Sequence, residues 1–169
     1  HAGVSKWKRD SFLNKTSIGI ELSNKGHRFG YEKYSKKQIY SIINLSKNFI
    51  KKFNIKKTNI IGHSDIAFER KIDPGEKFPW ELLSKKNIGI WHNINKNKLH
   101  KLRKIKLNKI EQNNCLKFIK KIGYSSNKYS YQKKVNLCKN FQRRFRQELI
   151  NGVLDKECLI IAETLSKLQ

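Results

Sequence analysis

Apolar residues recur along this chain with two different periods. In "TSIGIEL", residues 16–22, Ile18, Ile20 and Leu22 alternate with Ser17, Gly19 and Glu21. This pattern predicts a half-buried strand with Glu21 on the face opposite the core. From Ser35 onward, Ile39, Ile42, Ile43, Phe49, Ile50 and Phe53 return at steps near three and four, the period of an amphipathic helix, and Ser35 with Gln38 has the spacing of a capping box. "TNIIG", residues 58–62, reads as a short buried strand that delivers His63 at its end, and Pro79 can open a short helix through Leu83.

Beyond Trp91 the pattern changes. "HNINKNKLHKLRKIKLNK" is dense in Lys and Asn and is predicted to be a partly helical linker. Three amphipathic segments follow, at about 110–121, 131–146 and 155–168, with Asp155 as the N-cap of the last and a turn at Asn151-Gly152. No internal repeat is visible. The expected layout is therefore a first domain over 1–92, a linker over 93–109 and a small three-helix domain over 110–169.

Composition supports a folded chain and adds one strong bias. Among 169 residues, 37% are hydrophobic and 11% aromatic, enough for a core in one medium domain or in a compact domain with a satellite. The formal charge is +25, from 38 Lys and Arg against 13 acids. Such an excess fits either a general drift toward solvated lysine or a preference for a polyanion. The lysines are scattered through every segment and accompany no nucleic-acid motif, so specific nucleic-acid binding is not expected. Cys115, Cys138 and Cys158 match no CxxC signature and are odd in number, which predicts buried free thiols. No apolar run approaches the ~20 residues of a membrane span. The chain opens without a Met, so any signal or lipid anchor is expected upstream.

The densest chemistry lies in "GHSDIAFERKIDPGEKFPW", residues 62–80. A catalytic zinc takes three protein ligands and leaves a fourth position open, and His63 with Asp73 could supply two. Lys71 precedes Asp73 by two residues, so in an extended loop both side chains project to one side. Glu21 could take a proton from water if its strand ran beside this loop. By spacing alone, each of these residues is equally well a solvated or turn residue.

Four blocks, "HAGVSKW", "LNKTSIGIEL", the 62–80 loop and "IGIW", together resemble the zinc-dependent N-acetylmuramoyl-L-alanine amidases of the amidase_2 type. "IGY", "FQRRFR" and "NGVLDKE" resemble a small three-helix peptidoglycan-binding domain. The pairing is similar to the periplasmic, outer-membrane-lipoprotein branch of that family, the alternative being its cytoplasmic branch. The resemblance implies an α/β fold, a mixed sheet flanked by helices and lacking its first strand or strands, followed by the three-helix domain. It implies Zn2+ held by His63 and Asp73, catalysis by Glu21 and Lys71, and substrate contacts from His1, Asn14 and Arg70. Peptidoglycan and muropeptides are the implied partners, cut between N-acetylmuramic acid and L-alanine.

Three features depart from the pattern. The family's first zinc histidine lies upstream of the "HAG" block, Phe68 stands where the family usually has Pro, and the lysine load is heavy. The chain is then expected to be either a fragment of a longer active enzyme or an inactive truncated amidase that is prone to associate. A non-catalytic peptidoglycan-recognition protein is the further alternative.

Overall fold

The computed structural model describes residues 1–125 and 130–169. Among these described residues eight α-helices run in chain order: α1 (Leu13–Thr16), α2 (Lys36–Phe53), α3 (His63–Ile66), α4 (Trp80–Ser84), α5 (Lys96–Leu102), α6 (Lys109–Ile122), α7 (Tyr131–Phe145) and α8 (Lys156–Ser166). Single 3-10 turns lie at His27–Phe29 and Lys57–Asn59.

The caps explain why the longer helices begin where they do. Ser35 Oγ accepts from the Gln38 amide at 3.2 Å while Gln38 Oε1 accepts from the Ser35 amide at 2.9 Å, which meets two of the donors that a helix start leaves free. Asn108 and Glu111 form the same reciprocal pair at the head of α6. Asp155 accepts from the Cys158 amide at 3.0 Å, the predicted cap of α8. Asn54 ends α2 in the left-handed region at φ 49°.

The predicted sheet is not formed. Among the described residues no strand is present, and the only pairings of strand type are the isolated bridges Trp7–Asp10 and Lys106–Asp155. Extended backbone becomes a sheet only when a neighbour supplies the ladder of hydrogen bonds, and among the described residues no segment pairs its backbone with residues 17–22. Alternation survives without its burial: Ile18 is 47% and Ile20 39% exposed, and only Leu22 packs, against the smaller core cluster. "TNIIG" likewise passes through a 3-10 turn and unpaired backbone, and His63 begins α3 rather than ending a strand.

The hydrophobic core crosses the expected domain boundary. One cluster joins Trp7, Leu13, Phe68 and Ile90 to Tyr124, Phe141 and Phe145, and α6 packs extensively on α8 beneath it. A smaller cluster places Ile39 and Ile42 of α2 against Phe78, Trp80, Leu83 and Ile88. Trp91 touches both. The three cysteines are buried in the α6–α8 layer and free. Burial pushes the Cys138 thiol up to about 11 and Cys158 up to about 12, which leaves them protonated at neutral pH. No helix among the described residues is long and apolar enough to cross a membrane.

His92 marks the join between the two halves. Its Nε2 lies 3.1 Å from the Phe145 carbonyl oxygen. A carbonyl can only accept, so Nε2 carries the proton and Nδ1 is the bare nitrogen of a neutral ring. Burial lowers the pKa of this histidine below its ordinary value, against smaller raising effects led by that hydrogen bond.

Two outcomes follow from this arrangement. Because the large core is shared, thermal unfolding followed by near-UV and far-UV circular dichroism is expected to show one coincident transition, and two separated transitions would contradict it. A histidine whose folded pKa is depressed stabilises the fold above its unfolded value, about 6.5. That contribution fades as the pH falls through the folded value. Melting temperatures recorded from pH 7.5 to 5 should therefore fall more steeply for the parent than for His92→Gln, and equal slopes would contradict this.

Candidate metal centre and its supporting shell

Close packing shapes the loop that follows Ile61. Gly62 has no room for a side chain, since a Cβ there would lie 2.8 Å from Pro74 Cδ and 3.3 Å from Trp80. Its amide donates to Asp65 Oδ2 at 2.7 Å, which closes the single turn of α3. The Ser64 amide donates to the Asp73 carbonyl at 2.9 Å, so the two ends of the loop meet. The Asp73-Pro74 peptide is cis. Gly75 follows with φ 84°, and a Cβ there would stand 2.5 Å from the Tyr31 hydroxyl.

Within this frame His63 and Asp73 converge. His63 Nδ1 lies 2.9 Å from Asp73 Oδ2, with the His63 side chain 23% and the Asp73 side chain 56% exposed. The pair therefore opens to solvent from the Asp73 side. The other ring nitrogen, His63 Nε2, is buried and has no hydrogen-bond partner among the described residues.

An imidazole nitrogen beside a carboxylate oxygen is the donor chemistry zinc prefers. Two such atoms on one zinc, each about 2.0–2.1 Å from it, stand roughly 3.3 Å apart at a tetrahedral angle. The observed pair need open only slightly to admit a cation, so the residues fit. They fit as two ligands: among the described residues no group of three or more His, Cys, Asp or Glu side chains could hold a metal ion.

Aromatic hydroxyls hold the Asp73 end of the loop. Tyr31 and Tyr34 both donate to the Pro74 carbonyl, at 2.6 and 2.9 Å, and the Tyr31 hydroxyl also accepts from the Lys77 amide at 3.0 Å. His27 stacks on Tyr31 with ring centres 4.2 Å apart and meets Glu76 at 2.9 Å. Burial raises the Tyr34 phenol above its ordinary pKa, and the nearby Asp73 carboxylate adds to the rise.

A buried carboxylate holds the His63 end. Asp65 is 1% exposed. Its Oδ1 accepts from the Tyr124 hydroxyl at 2.5 Å and from Asn140 Nδ2 at 3.3 Å. Its Oδ2 pairs with Arg144 in addition to accepting from the Gly62 amide. The Arg144 guanidinium also donates to the Ile60 carbonyl at 2.9 Å and lies over the Trp80 ring at 4.3 Å. Phe68 is buried in the main core, so its ring anchors the middle of the loop.

The other expected site residues are placed differently. Lys71 is half-buried in the same loop, its amide donating to the Ala67 carbonyl at 3.0 Å. Glu21 is exposed on the unpaired extended segment. Among the described residues no hydrogen bond or ion pair joins Glu21 or Lys71 to the His63–Asp73 pair. His1 packs over Gly19, where a Cβ would lie 2.8 Å from its ring, and its Nε2 is 2.9 Å from Ser17 Oγ. Asn14 Oδ1 accepts from the Ala2 amide at 2.7 Å. Arg70 donates to the Ala2 and Val4 carbonyls at 2.6 and 2.8 Å. Asn14 and Arg70 thus hold the segment beside the loop in shape.

A recess of about 420 Å³ opens elsewhere, among Glu81, Trp91, His92, Arg103 and Glu148. Its acids are already paired, Glu81 with Lys85, Glu148 with His100 and Glu157 with Arg103. The His63–Asp73 pair lies outside it.

Sequence reasoning overlooked Asp65, Tyr31, Tyr34 and Arg144. The doublet Arg143-Arg144 flanked by Phe141 and Phe145 was the available signal, because charged residues inside an apolar helical face need a buried partner.

The chain is similar to known proteins over most of its length. The N-acetylmuramoyl-L-alanine amidase family matches residues 1–76. The chain is 33% identical over 171 residues to the N-acetylmuramoyl-L-alanine amidase AmiD of Escherichia coli, covering 98% of this chain and 62% of that protein. It is also 38% identical over 82 residues to the 1,6-anhydro-N-acetylmuramyl-L-alanine amidase AmpD of Haemophilus influenzae, covering 48% of this chain and 42% of that one. Among solved structures it superposes on E. coli AmiD, in complex with anhydro-N-acetylmuramic acid-L-Ala-D-gamma-Glu-L-Lys, with a TM-score of 0.85 at 32% identity, over 99% of this chain and 68% of that one. AmpDh3 of Pseudomonas aeruginosa gives a TM-score of 0.83 at 33% identity, again over 99% and 68% of the two chains. The likeness holds although the described residues pair into no sheet.

The two phenols make the Asp73 turn testable. Tyr31→Phe removes one of the two donors to the Pro74 carbonyl and the acceptor for the Lys77 amide, and a hydrogen bond lost in this way typically costs about 0.5–1.5 kcal/mol. Urea denaturation should show a loss of that order. A variant as stable as the parent would contradict the role given to Tyr31.

Proposed function

This chain belongs to the N-acetylmuramoyl-L-alanine amidase family, and we propose that it contributes to hydrolysis of the amide bond between N-acetylmuramic acid and L-alanine in peptidoglycan. One observation carries the reading: His63 Nδ1 and Asp73 Oδ2, 2.9 Å apart, present a zinc-type donor pair toward solvent in a chain 33% identical to an enzyme of this activity. The relatives' structures with bound anhydromuramyl peptides support muropeptides as the substrate class.

In this reading His63 and Asp73 hold zinc together with a third donor that the described residues do not provide. Bound there, the ion supplies Lewis-acid chemistry: it polarises a carbonyl and makes water a nucleophile near neutral pH. The chain's own groups do the rest. In the metal-free pair Nδ1 donates to the Asp73 carboxylate; to hold a cation the ring would release that proton and carry one on Nε2 instead, which would free the Nδ1 lone pair. Glu21 accepts a proton from the attacking water and returns it to the departing amine of L-alanine. The ammonium of Lys71 balances negative charge as it develops on the amide oxygen. His1, beside Gly19, and the segment shaped by Asn14 and Arg70 form one bank of the substrate groove.

The helices over 110–169 contact the wall in the same reading, and the pairing of the two parts supports a periplasmic setting. The chemical test is incubation with purified anhydro-muropeptides, with and without zinc and a chelator. Free stem peptide is expected, and chelation should abolish it. Removing one charge-stabilising donor typically costs about 10²- to 10³-fold in rate; Lys71→Ala should show a loss of that order, and Glu21→Ala should remove most activity, while both leave sacculus binding unchanged. Sacculus binding with no cleavage in the presence of zinc would favour a recognition protein instead.

A further inference from the structure

The loop that carries the metal pair is held along its length by the C-terminal helices. Arg144 near the end of α7 pairs with Asp65 and donates to the Ile60 carbonyl. Arg143 lies 3.6 Å from Glu76, and Gln147, just past α7, donates to the Phe78 carbonyl at 2.7 Å. Asn140 of α7 and Tyr124 before it complete the shell of Asp65. Ile60 to Phe78 is therefore clamped at its start, its middle and its end from one helix and its flanks.

The contact at Asp65 bears most directly on the metal pair. Asp65 and His63 share the single turn of α3, which spans only His63–Ile66. So short a helix has no stability of its own. Its backbone is tied by the Ser64 amide to the Asp73 carbonyl at 2.9 Å, by the Asp65 amide to the Gly62 carbonyl at 3.0 Å and by the Lys6 amide to the Ile66 carbonyl at 2.9 Å. If the Asp65 carboxylate left its donors, α3 would turn and carry the His63 imidazole away from Asp73. Buried ion pairs of this kind often add little stability over an apolar pair of the same volume. What the planar guanidinium adds is direction, because its fork bonds a carboxylate and a carbonyl at once.

We propose that Arg144, acting through Asp65, is a positioning residue for His63, so that α7 completes the metal site instead of serving only to attach the protein to the wall. This rests on the reading of His63 and Asp73 as zinc ligands. Partners that orient a metal-bound histidine are typically worth 10- to 100-fold in metal affinity or activity.

The test compares Arg144→Met, Arg144→Lys and Asp65→Asn with Arg103→Met in the full chain. Arg103 supplies a second, partly buried ion pair, 2.6 Å from Glu157, and its recorded bonds go to Glu148 and Glu157 rather than to the loop. Three quantities are measured: the melting temperature, zinc affinity by competition with a chromophoric chelator, and the imidazole nitrogen resonances of His63 in metal-free protein at one fixed pH. Arg144→Met and Asp65→Asn are expected to weaken zinc binding about 10- to 100-fold and to shift the His63 resonances. Arg144→Lys, which keeps the charge and loses the fork, should fall between them and the parent. Arg103→Met should lower the melting temperature and leave both other quantities unchanged.

The proposal fails if Arg144→Met lowers the melting temperature while zinc affinity and the His63 resonances stay at the parent values, or if Arg103→Met moves them as far. Should Arg144→Met not fold, Arg144→Lys is judged by the same criteria. A parent chain that binds no zinc would remove the ligand reading, and the metal-free resonances would then decide the positioning role alone. Movement in the Arg144 variants but not in Arg103→Met supports it, and no movement overturns it.

Discussion

A carboxylate removed from water needs other donors in its place, and Asp65 finds them in the Gly62 amide, the Tyr124 hydroxyl, the Asn140 amide and the Arg144 guanidinium. Two of these are side chains of α7, and a third leads into it. The packing of the C-terminal helices and the geometry of the 62–80 loop are thus one problem with one solution. If α7 were displaced, Asp65 would lose the Asn140 and Arg144 side chains and Ile60 its guanidinium contact, and the turn that presents His63 would lose its ties to that helix.

The same constraint explains the shape of the core. A tether would require only a linker and a surface, yet Phe141 and Phe145 of α7 share a cluster with Trp7, Leu13 and Phe68. Phe68 sits between the two ends of the 62–80 loop, so the ring that fills the core also fixes the backbone carrying Lys71 and Asp73. Burial on one side and convergence on the other are consequences of a single packing arrangement. The heavy positive charge takes little part in it: most lysines remain on the surface, while the buried charges of the structural centre are arginines paired with Asp65, Asp155 and Glu157.

Much of this was legible in the sequence, and the parts that were not share a cause. Local signals succeeded where the structure is local: the Ser35–Gln38 box, the Asp155 cap and the helices after residue 109 form as their patterns predict. The pairing of His63 with Asp73 was expected from the resemblance alone, since by spacing each could equally be a solvated or turn residue. The strand at 17–22 was misjudged because alternation describes one face of a segment and says nothing of a partner for its backbone. For Glu21 this matters most, since its expected role depended on that strand running beside the loop. Asp65 and Arg144, 79 positions apart, carry no local signature of each other, and only the fold reveals that one answers the other.

The convergence of an imidazole and a carboxylate on one cation is the claim on which the functional reading depends. Crystals of the chain grown with zinc and measured on both sides of the zinc absorption edge test it directly. An anomalous difference peak within bonding distance of both His63 Nδ1 and Asp73 Oδ2 is expected. A peak confined to other residues, or none there with the two side chains still hydrogen-bonded to each other, would contradict it.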